Sequence, residues 1–337
     1  SCSTGIRRHK YDCMSVGEGS AVMVDDVAKF VDPAREELNM LYHFDAARIR
    51  NTTLPDNPES GIDYSLIALK KMFTEWDKAI DKGWPSIYLG NHDQPRMVSR
   101  FGSDKDEFRA LSAKMLITFL LTMRGTPYWF AGDEIGMRNI RFDRIEDYND
   151  IDTINRYKKA KAEGKDPQAV LDEQKETGRD NARTPFQWDR SPEAGFTAGT
   201  PWLKVNPDYT WINVADEEKD PTSILNYFKK VVSFRKENPS LIYGSYHLLD
   251  AENPQSYTFL RKTGADTYLI MLNFSPKAAI STPGIDMSNA HVLLDNYGDR
   301  SHMAPQKDIT LRPFEAIVFQ LNHPVYESFI DSLDLLE

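Results

Sequence analysis

Residues 85–96 read PSIYLGNHDQPR, an apolar run followed at once by polar side chains. The run has the length and composition of a short buried strand, and Gly90 and Asn91 are typical of the turn at which such a strand ends. His92 and Asp93 come directly after that turn, where a His–Asp pair can orient a hydroxyl group and place a negative charge beside a developing cation. The alternative is a turn whose polar residues serve backbone geometry alone. The pattern leaves both interpretations open.

The same pattern of a short apolar run ending in polar residues recurs along the first part of the chain. The four runs are residues 13–16, 38–44, 85–89 and 126–130. Helical patterns at 62–80 and 108–121, with apolar residues three and four apart, separate the last three. This alternation indicates βα units and a parallel sheet. Four units are too few to close a barrel, so either the sheet is open or half of a barrel is missing.

The character of the sequence changes after the fourth run. A long polar stretch covers 138–202, and such loops in compact folds are usually functional or contain small elements of their own. A third helix is predicted at 222–237, before Asn238-Pro239. Strands are then predicted at 257–261, 268–274, 292–294 and 316–321. We therefore predict two domains, residues 1–240 and an antiparallel β-sandwich at 241–337.

The composition argues against several classes of protein. The chain has 337 residues, of which 40% are hydrophobic and 11% aromatic, enough for a sizeable core. Its formal net charge is -10 and it has no basic run, so nucleic acid is not expected as a partner. No run approaches the roughly 18 consecutive apolar residues of a membrane span. Two cysteines are too few for a disulfide framework and lack the spacing of a zinc site.

Two further clusters of polar residues accompany the predicted strands. Glu18 stands between two glycines at the end of the first run, where glycine permits a tight turn and close approach of a ligand. A solvated loop glutamate is the alternative. The polar stretch contains GRDNARTPFQWD at 178–189, whose Arg179 and Arg183 would share a face of a helix. Arginine suits fork-like hydrogen bonding to carboxylates or vicinal hydroxyls, although the pattern by itself favours a structural ion-pair cluster.

Taken together, these clusters resemble glycoside hydrolase family 13. The matching segments are VGE at 16–18, NHDQPRMVSRFG at 91–102, GTPY at 125–128, GDEIGM at 132–137 and RDNARTPFQWD at 179–189. Their order and spacing are similar to those of the oligo-1,6-glucosidase, α-glucosidase and trehalose-6-phosphate hydrolase group. The resemblance implies an α/β fold, the second half (strands five to eight) of a (β/α)₈ TIM barrel, followed by an all-β antiparallel sandwich domain.

The resemblance also implies an activity and a set of site residues. The activity is that of a retaining α-glucosidase acting on the terminal α-glucosidic bonds of short oligosaccharides. Glu18 is then the general acid/base, and Asp93 the carboxylate that stabilises the transition state. The substrate-binding residues that the resemblance implies are His92, Arg179, Arg183, Gln94 and Phe44.

The sequence departs from the family pattern at the nucleophile. The family places an aspartate after strand four, upstream of the VGE segment, and nothing in the 17 residues before Glu18 fits. A fragment of a longer enzyme and a non-catalytic descendant would both explain this. We favour a fragment, because a lineage without a nucleophile has little reason to keep Glu18, His92, Asp93 and Arg179 together. Residues 1–337 alone are then expected not to hydrolyse an α-glucoside. No cofactor is expected, although an upstream segment could hold a structural calcium or magnesium ion.

Three alternative functions accompany the resemblance: a sucrose isomerase, a trehalose-6-phosphate hydrolase, and a non-catalytic scaffold like the glucosidase-like heavy chains of amino-acid transporters. Gln94 argues against the isomerase, in which asparagine tends to stand at this position. The intact motifs and the lack of a membrane anchor argue against the scaffold. The sequence does not predict the linkage preference (α-1,4 or α-1,6), the compartment or the oligomeric state.

Overall fold

A computed structural model describes residues 13–264, 266–303 and 306–321, with the side chains of residues 50 and 51 excluded. These residues form two compact units. The first contains the described residues of Ser1–Ile87, Thr118–Tyr128 and Ser233–Glu337, and the second contains Tyr88–Ile117 and Trp129–Val232.

The first four strands have two or three residues each, and the strands from residue 245 onward have three to eight. The described strands are β1 (Val16–Glu18), β2 (Met40–Tyr42), β3 (Ser86–Ile87), β4 (Thr126–Pro127), β5 (Ser245–Leu249), β6 (Ser256–Thr263), β7 (Asp266–Asn273), β8 (Ala279–Ser281), β9 (His291–Asp295), β10 (Ile309–Leu311) and β11 (Ala316–Leu321). The described α-helices are α1 (Ala28–Val31), α2 (Asp45–Thr52), α3 (Leu66–Ala79), α4 (Met97–Phe101), α5 (Arg109–Thr122), α6 (Ile151–Ala162), α7 (Pro167–Thr177), α8 (Val214–Glu217), α9 (Ile224–Glu237) and α10 (Ser240–Tyr243).

The first four strands form two parallel pairs in the first unit. β1 pairs with β2, with Glu18 opposite Tyr42, and β3 pairs with β4. The Ser86 hydroxyl donates to the Leu41 carbonyl at 2.7 Å and so connects β3 with β2. The first strand begins at Val16 rather than at residue 13, because the Ser15 N–H donates to the Asn39 side chain at 2.8 Å instead of joining the ladder.

Helix α3, in the first unit, begins where the sequence supplies an N-cap. Apolar periodicity predicts a start at residue 62, but Ser65 accepts a hydrogen bond from the Ala68 N–H at 2.9 Å, and the helix starts at Leu66. An N-cap side chain fixes the start because the first helical N–H groups have no intrahelical partner. The buried face comprises Leu66, Leu69, Lys70, Met72, Phe73 and Trp76.

Two buried arginines complete the C-terminal end of α5. Arg261 donates to the Thr122 carbonyl at 2.5 Å, and Arg235 donates to the Leu121 carbonyl at 2.8 Å. The last carbonyls of a helix have no intrahelical donor, so these guanidinium groups satisfy them. Burial lowers the pKa of Arg235 to about 10 and that of Arg261 to about 9. These hydrogen bonds connect the end of α5 to α9, which contains Arg235, and to β6, which contains Arg261.

The last part of the first unit is all-β. Five strands form an antiparallel sheet in the order β5-β6-β7-β11-β9, and β8 pairs antiparallel with β10. Residues of both sheets meet in one buried apolar cluster, which includes Leu260 and Phe319 from the large sheet and Ile309 and Leu311 from the small one. The sequence did not predict β5, β8 or β10, since two of these have only three residues and alternation is not visible over so short a length.

The polar stretch at 138–202, in the second unit, contains two helices, in agreement with the expectation that so long a stretch can have small elements of its own. Asp150 caps α6 by accepting from the Thr153 N–H, and Asp166 caps α7, which starts with a proline. Both are ordinary helix-start signals. Among the residues that the structure describes, no helix is long and apolar enough to cross a membrane.

Candidate active site

Glu18 is the last residue of β1 and its side chain is exposed. Neither Gly17 nor Gly19 beside it has a positive φ. A turn nevertheless begins at Gly19, whose carbonyl accepts from the Val22 N–H at 3.2 Å. A Cβ on Gly17 would lie 2.5 Å from the Leu38 side chain, and one on Gly19 would lie 2.6 Å from the Leu41 side chain. The glycines therefore also make room for neighbouring leucines.

His92 and Asp93 lie in the loop after β3, in the second unit. The Asp93 N–H donates to the Asn91 side-chain oxygen at 2.8 Å, which fixes the loop locally. The His92 Nε2 atom is 3.4 Å from Asp93 Oδ2. The side chain of His92 is 69% exposed and that of Asp93 is 32% exposed, so both are open to a ligand.

Both predicted arginines reach Asp93. Arg183 Nη2 is 2.6 Å from Asp93 Oδ1, and its Nε donates to the His92 carbonyl at 2.8 Å. Arg179 Nη1 is 3.8 Å from the same Oδ1. The segment is not an α-helix, as the spacing of the arginines suggested, but a 3₁₀ turn over Arg179–Asn181. The structure thus brings four of the predicted site residues together, in an arrangement that is also an ion-pair cluster.

The remaining predicted residues have separate positions. The Gln94 side-chain oxygen accepts a hydrogen bond from Arg100 Nη1. Phe44 is half-buried and immediately precedes α2. Glu18 and Phe44 belong to the first unit, whereas Gln94 belongs to the second together with His92, Asp93 and the two arginines. The roles of Glu18, Gln94 and Phe44 stay predictions.

Asp150 is a residue of this cluster that sequence reasoning missed. Its carboxylate is 2.6 Å from Arg179 Nη2 and 3.5 Å from Arg183 Nη1. Burial would raise the pKa of Asp150, but hydrogen bonds from Thr153 and the contact with Arg179 outweigh it, so the pKa is lowered. Its position three residues before Thr153 is a signal for a helix start, but not for a contact with the arginines.

A buried ion pair lies behind the His92–Asp93 loop. Arg96 Nη1 is 3.7 Å from Asp133 Oδ1, and both side chains are almost completely buried. A Cβ on Gly90 would lie 2.8 Å from Asp133 Oδ2, so only glycine fits there. Burial raises the pKa of Asp133 from its ordinary 3.8 to about 7, which the attraction of Arg96 offsets only in part. Glu134 adds to the increase because it is a second negative charge nearby.

This pKa predicts a pH-dependent stability. Between 3.8 and about 7 the carboxyl of Asp133 is ionised in the unfolded chain but protonated in the folded one, so its contribution to stability decreases as the pH rises. Asp133→Asn removes this titration. We expect the melting temperature of Asp133→Asn, relative to the wild type, to be higher at about pH 8 than at about pH 5. An equal difference in melting temperature at both pH values would show that Asp133 does not titrate in this range.

No group of three or more His, Cys, Asp or Glu side chains in the described part of the chain is arranged to hold a metal ion. The expectation that the site works without a cofactor stays a prediction.

Comparison with known proteins identifies the family to which the chain belongs. The family described as "Alpha amylase, catalytic domain" matches residues 2–244. The chain is 45% identical over 322 residues to an oligo-1,6-glucosidase of Parageobacillus thermoglucosidasius, a match that covers 94% of this chain and 56% of that protein. It is similar in structure to the trehalose-6-phosphate hydrolase of Bacillus licheniformis, with a TM-score of 0.85 and 36% identity, over 93% of this chain and 57% of that one.

A trehalulose synthase from Pseudomonas mesoacidophila MX-45 gives a TM-score of 0.84 with 36% identity, over 93% of this chain and 56% of that chain. The chain thus spans a little over half of the length of the relatives that it matches. The matched residues include β1 to β4, the His92–Asp93 loop and both arginines that contact Asp93. On this evidence the chain belongs to the alpha-amylase family, glycoside hydrolase family 13.

Proposed function

We propose that the protein is a retaining α-glucosidase that hydrolyses terminal α-glucosidic bonds of short oligosaccharides. The observation that supports this most strongly is the arrangement around Asp93, whose carboxylate is contacted by Arg183 at 2.6 Å and lies beside the exposed ring of His92. In retaining hydrolysis the transition state has the character of an oxocarbenium ion, which a nearby carboxylate stabilises. His92 and Arg179 supply donors for sugar hydroxyls.

We assign the general acid/base role to Glu18, which would protonate the glycosidic oxygen and then deprotonate the attacking water. Its exposed position at the end of a parallel strand is compatible with that role. Gln94, Arg183 and Phe44 are proposed as further substrate-binding residues. Retaining hydrolysis also needs a nucleophilic carboxylate, for which residues 1–337 offer no segment that matches the family.

We extend the proposal to the barrel strands and the domain boundary. β1 to β4 would be strands five to eight of a (β/α)₈ barrel that occupies residues 1–240, and residues 241–337 would form the C-terminal β-sandwich. The parallel pairing of β1 with β2 and of β3 with β4 supports the first part. The family match ends at residue 244 and the antiparallel sheet begins at Ser245, which supports the boundary.

The test is an assay of the protein as its gene encodes it, with isomaltose, maltose, trehalose 6-phosphate and sucrose as substrates. We expect release of glucose from isomaltose to be fastest, since oligo-1,6-glucosidases are 41% to 45% identical to this chain. Trehalose-6-phosphate hydrolase is the second candidate because a solved structure of such an enzyme matches with a TM-score of 0.85. Fastest hydrolysis of trehalose 6-phosphate would favour it, and conversion of sucrose to an isomer would favour a trehalulose synthase. No turnover of any of the four substrates would refute the proposal.

A further inference from the structure

The two oxygens of the Asp150 carboxylate make different contacts, one with the two arginines and the other with the start of α6. Oδ1 is 2.6 Å from Arg179 Nη2 and 3.5 Å from Arg183 Nη1. Oδ2 accepts from the Thr153 N–H at 3.1 Å and from the Thr153 hydroxyl at 2.9 Å, which caps α6. Asp150 is 4% exposed, so water does not compete for these contacts. One buried side chain therefore joins the start of a helix to both arginines.

The main chain of Asp150 is fixed as well. Its N–H and that of Asn149 donate to the Asp180 carboxylate at 2.8 and 2.7 Å, and Asp180 is 1% exposed. The hydroxyl of Thr153 also lies 2.8 Å from the side-chain oxygen of the buried Gln174, so that Asp150 and Gln174 share its proton and α6 contacts α7. A group held in this way by several buried hydrogen bonds is preorganised.

Each of the two arginines contacts more than one carboxylate. Each contacts Asp93, at 3.8 Å for Arg179 and 2.6 Å for Arg183, and each also contacts Asp150. Arg183 Nη1 is in addition 3.8 Å from Asp180 Oδ1. The side chains of Arg179 and Arg183 are 36% and 30% exposed, so the loss of a partner would leave them room to change rotamer. Arginine has a long side chain, whose rotamer freedom these ion pairs restrict.

We propose that Asp150 is a positioning residue for the active site. Its buried carboxylate holds Arg179 and Arg183 in the orientation at which they reach Asp93. The consequence for catalysis rests on the proposed function, whereas the anchoring of the arginines does not. Asp150 itself makes no contact with substrate in this account.

Asp150→Asn tests the contacts with the arginines separately from the helix cap. Asparagine is as good an N-cap as aspartate, so α6 keeps its start, but the charge that binds the arginines is lost. We expect phenylglyoxal, which modifies arginine, to label Arg179 and Arg183 faster in Asp150→Asn than in the wild type, as measured by peptide mass spectrometry. Arg190, which pairs with Asp216 at 2.6 Å, is the internal reference and should label at an unchanged rate.

The matched control is Asp166→Asn, the same change at the exposed N-cap of α7, where the side chain accepts from the Gln168 N–H at 2.9 Å. It should leave the labelling of Arg179 and Arg183 unchanged. Asp150→Ser, which also keeps an N-cap side chain, is measured in parallel in case the asparagine variant does not fold. Labelling of Arg179 and Arg183 at the wild-type rate in the folded variant would overturn the proposal, whatever happens to activity. Faster labelling in Asp166→Asn as well would assign the effect to the loss of any cap charge rather than to the contact with Asp150, and would also overturn it.

Activity is the second measurement. If the wild type hydrolyses α-glucosides, Asp150→Asn should lower kcat/KM by about tenfold or more, because misplaced binding groups lose transition-state contacts. Asp166→Asn should stay near the wild-type value. If the gene-encoded wild type has no α-glucosidase activity and labelling is still faster in Asp150→Asn, the proposed function is refuted and the positioning role of Asp150 is intact.

Discussion

Asp93→Asn is expected to lower kcat/KM for an α-glucoside by about a thousandfold or more. The substitution preserves the shape of the side chain but removes the negative charge that stabilises the oxocarbenium-like transition state. It also leaves Arg183, at 2.6 Å, and Arg179, at 3.8 Å, facing a neutral amide. The loss should appear mainly in kcat, because a charge that matters only in the transition state contributes little to binding of the ground state.

The matched control for Asp93→Asn is Asp216→Asn. Asp216 also pairs with an arginine at 2.6 Å in the second unit, and its side chain is 29% exposed against 32% for Asp93. This control should keep an activity close to that of the wild type. A loss smaller than about tenfold in Asp93→Asn, with both variants folded by circular dichroism, would mean that Asp93 is not the transition-state carboxylate.

Glu18→Gln is expected to show a large loss that depends on the leaving group. The kcat/KM for isomaltose should fall by about a hundredfold to ten-thousandfold, because the glycosidic oxygen has to be protonated before a sugar can leave. An aryl glucoside with an acidic phenol needs little protonation, so its first step should be affected much less. The measurement compares kcat/KM for the two substrates in the wild type and the variant.

Glu75→Gln serves as the control for this substitution. Glu75 is an exposed glutamate of α3 in the same unit, with its Oε1 atom 3.7 Å from Lys71 Nζ. Glu75→Gln should leave kcat/KM for both substrates at the wild-type value. An equal loss in Glu18→Gln with isomaltose and with the aryl glucoside would contradict the acid role of Glu18, since it would indicate a general structural defect.

Part of the site was predictable from the sequence because local signals coincide there. The apolar run of residues 85–89 ends in glycine and a polar cluster, and the structure has a strand at Ser86–Ile87 with His92 and Asp93 in the loop that follows. The arginines were predicted as a pair from their side-chain chemistry. Their actual geometry, a 3₁₀ turn rather than a helix, depends on buried partners such as Asp180, which spacing along the chain does not encode.

Other features depend on contacts between distant segments and could not be predicted in this way. Asp150 resembles any solvated aspartate of a polar stretch until the fold buries it between α6 and the two arginines. The sequence predicts a turn at the glycines beside Glu18, but not the close approach of Leu38 and Leu41, more than 20 positions along the chain, which leaves no room for a Cβ there. In both cases contacts between distant segments determine the role of the residue.

The most direct test of the account is to follow the configuration of the glucose released, by ¹H NMR, while the gene-encoded protein acts on an aryl α-glucoside, whose leaving group is not a sugar. A retaining α-glucosidase with Glu18 as acid/base and Asp93 as transition-state carboxylate releases α-glucose first, and the β-anomer appears only later by mutarotation. Initial release of β-glucose would contradict the account, because it requires an inverting mechanism, and so would the absence of glucose release under conditions in which the protein is folded.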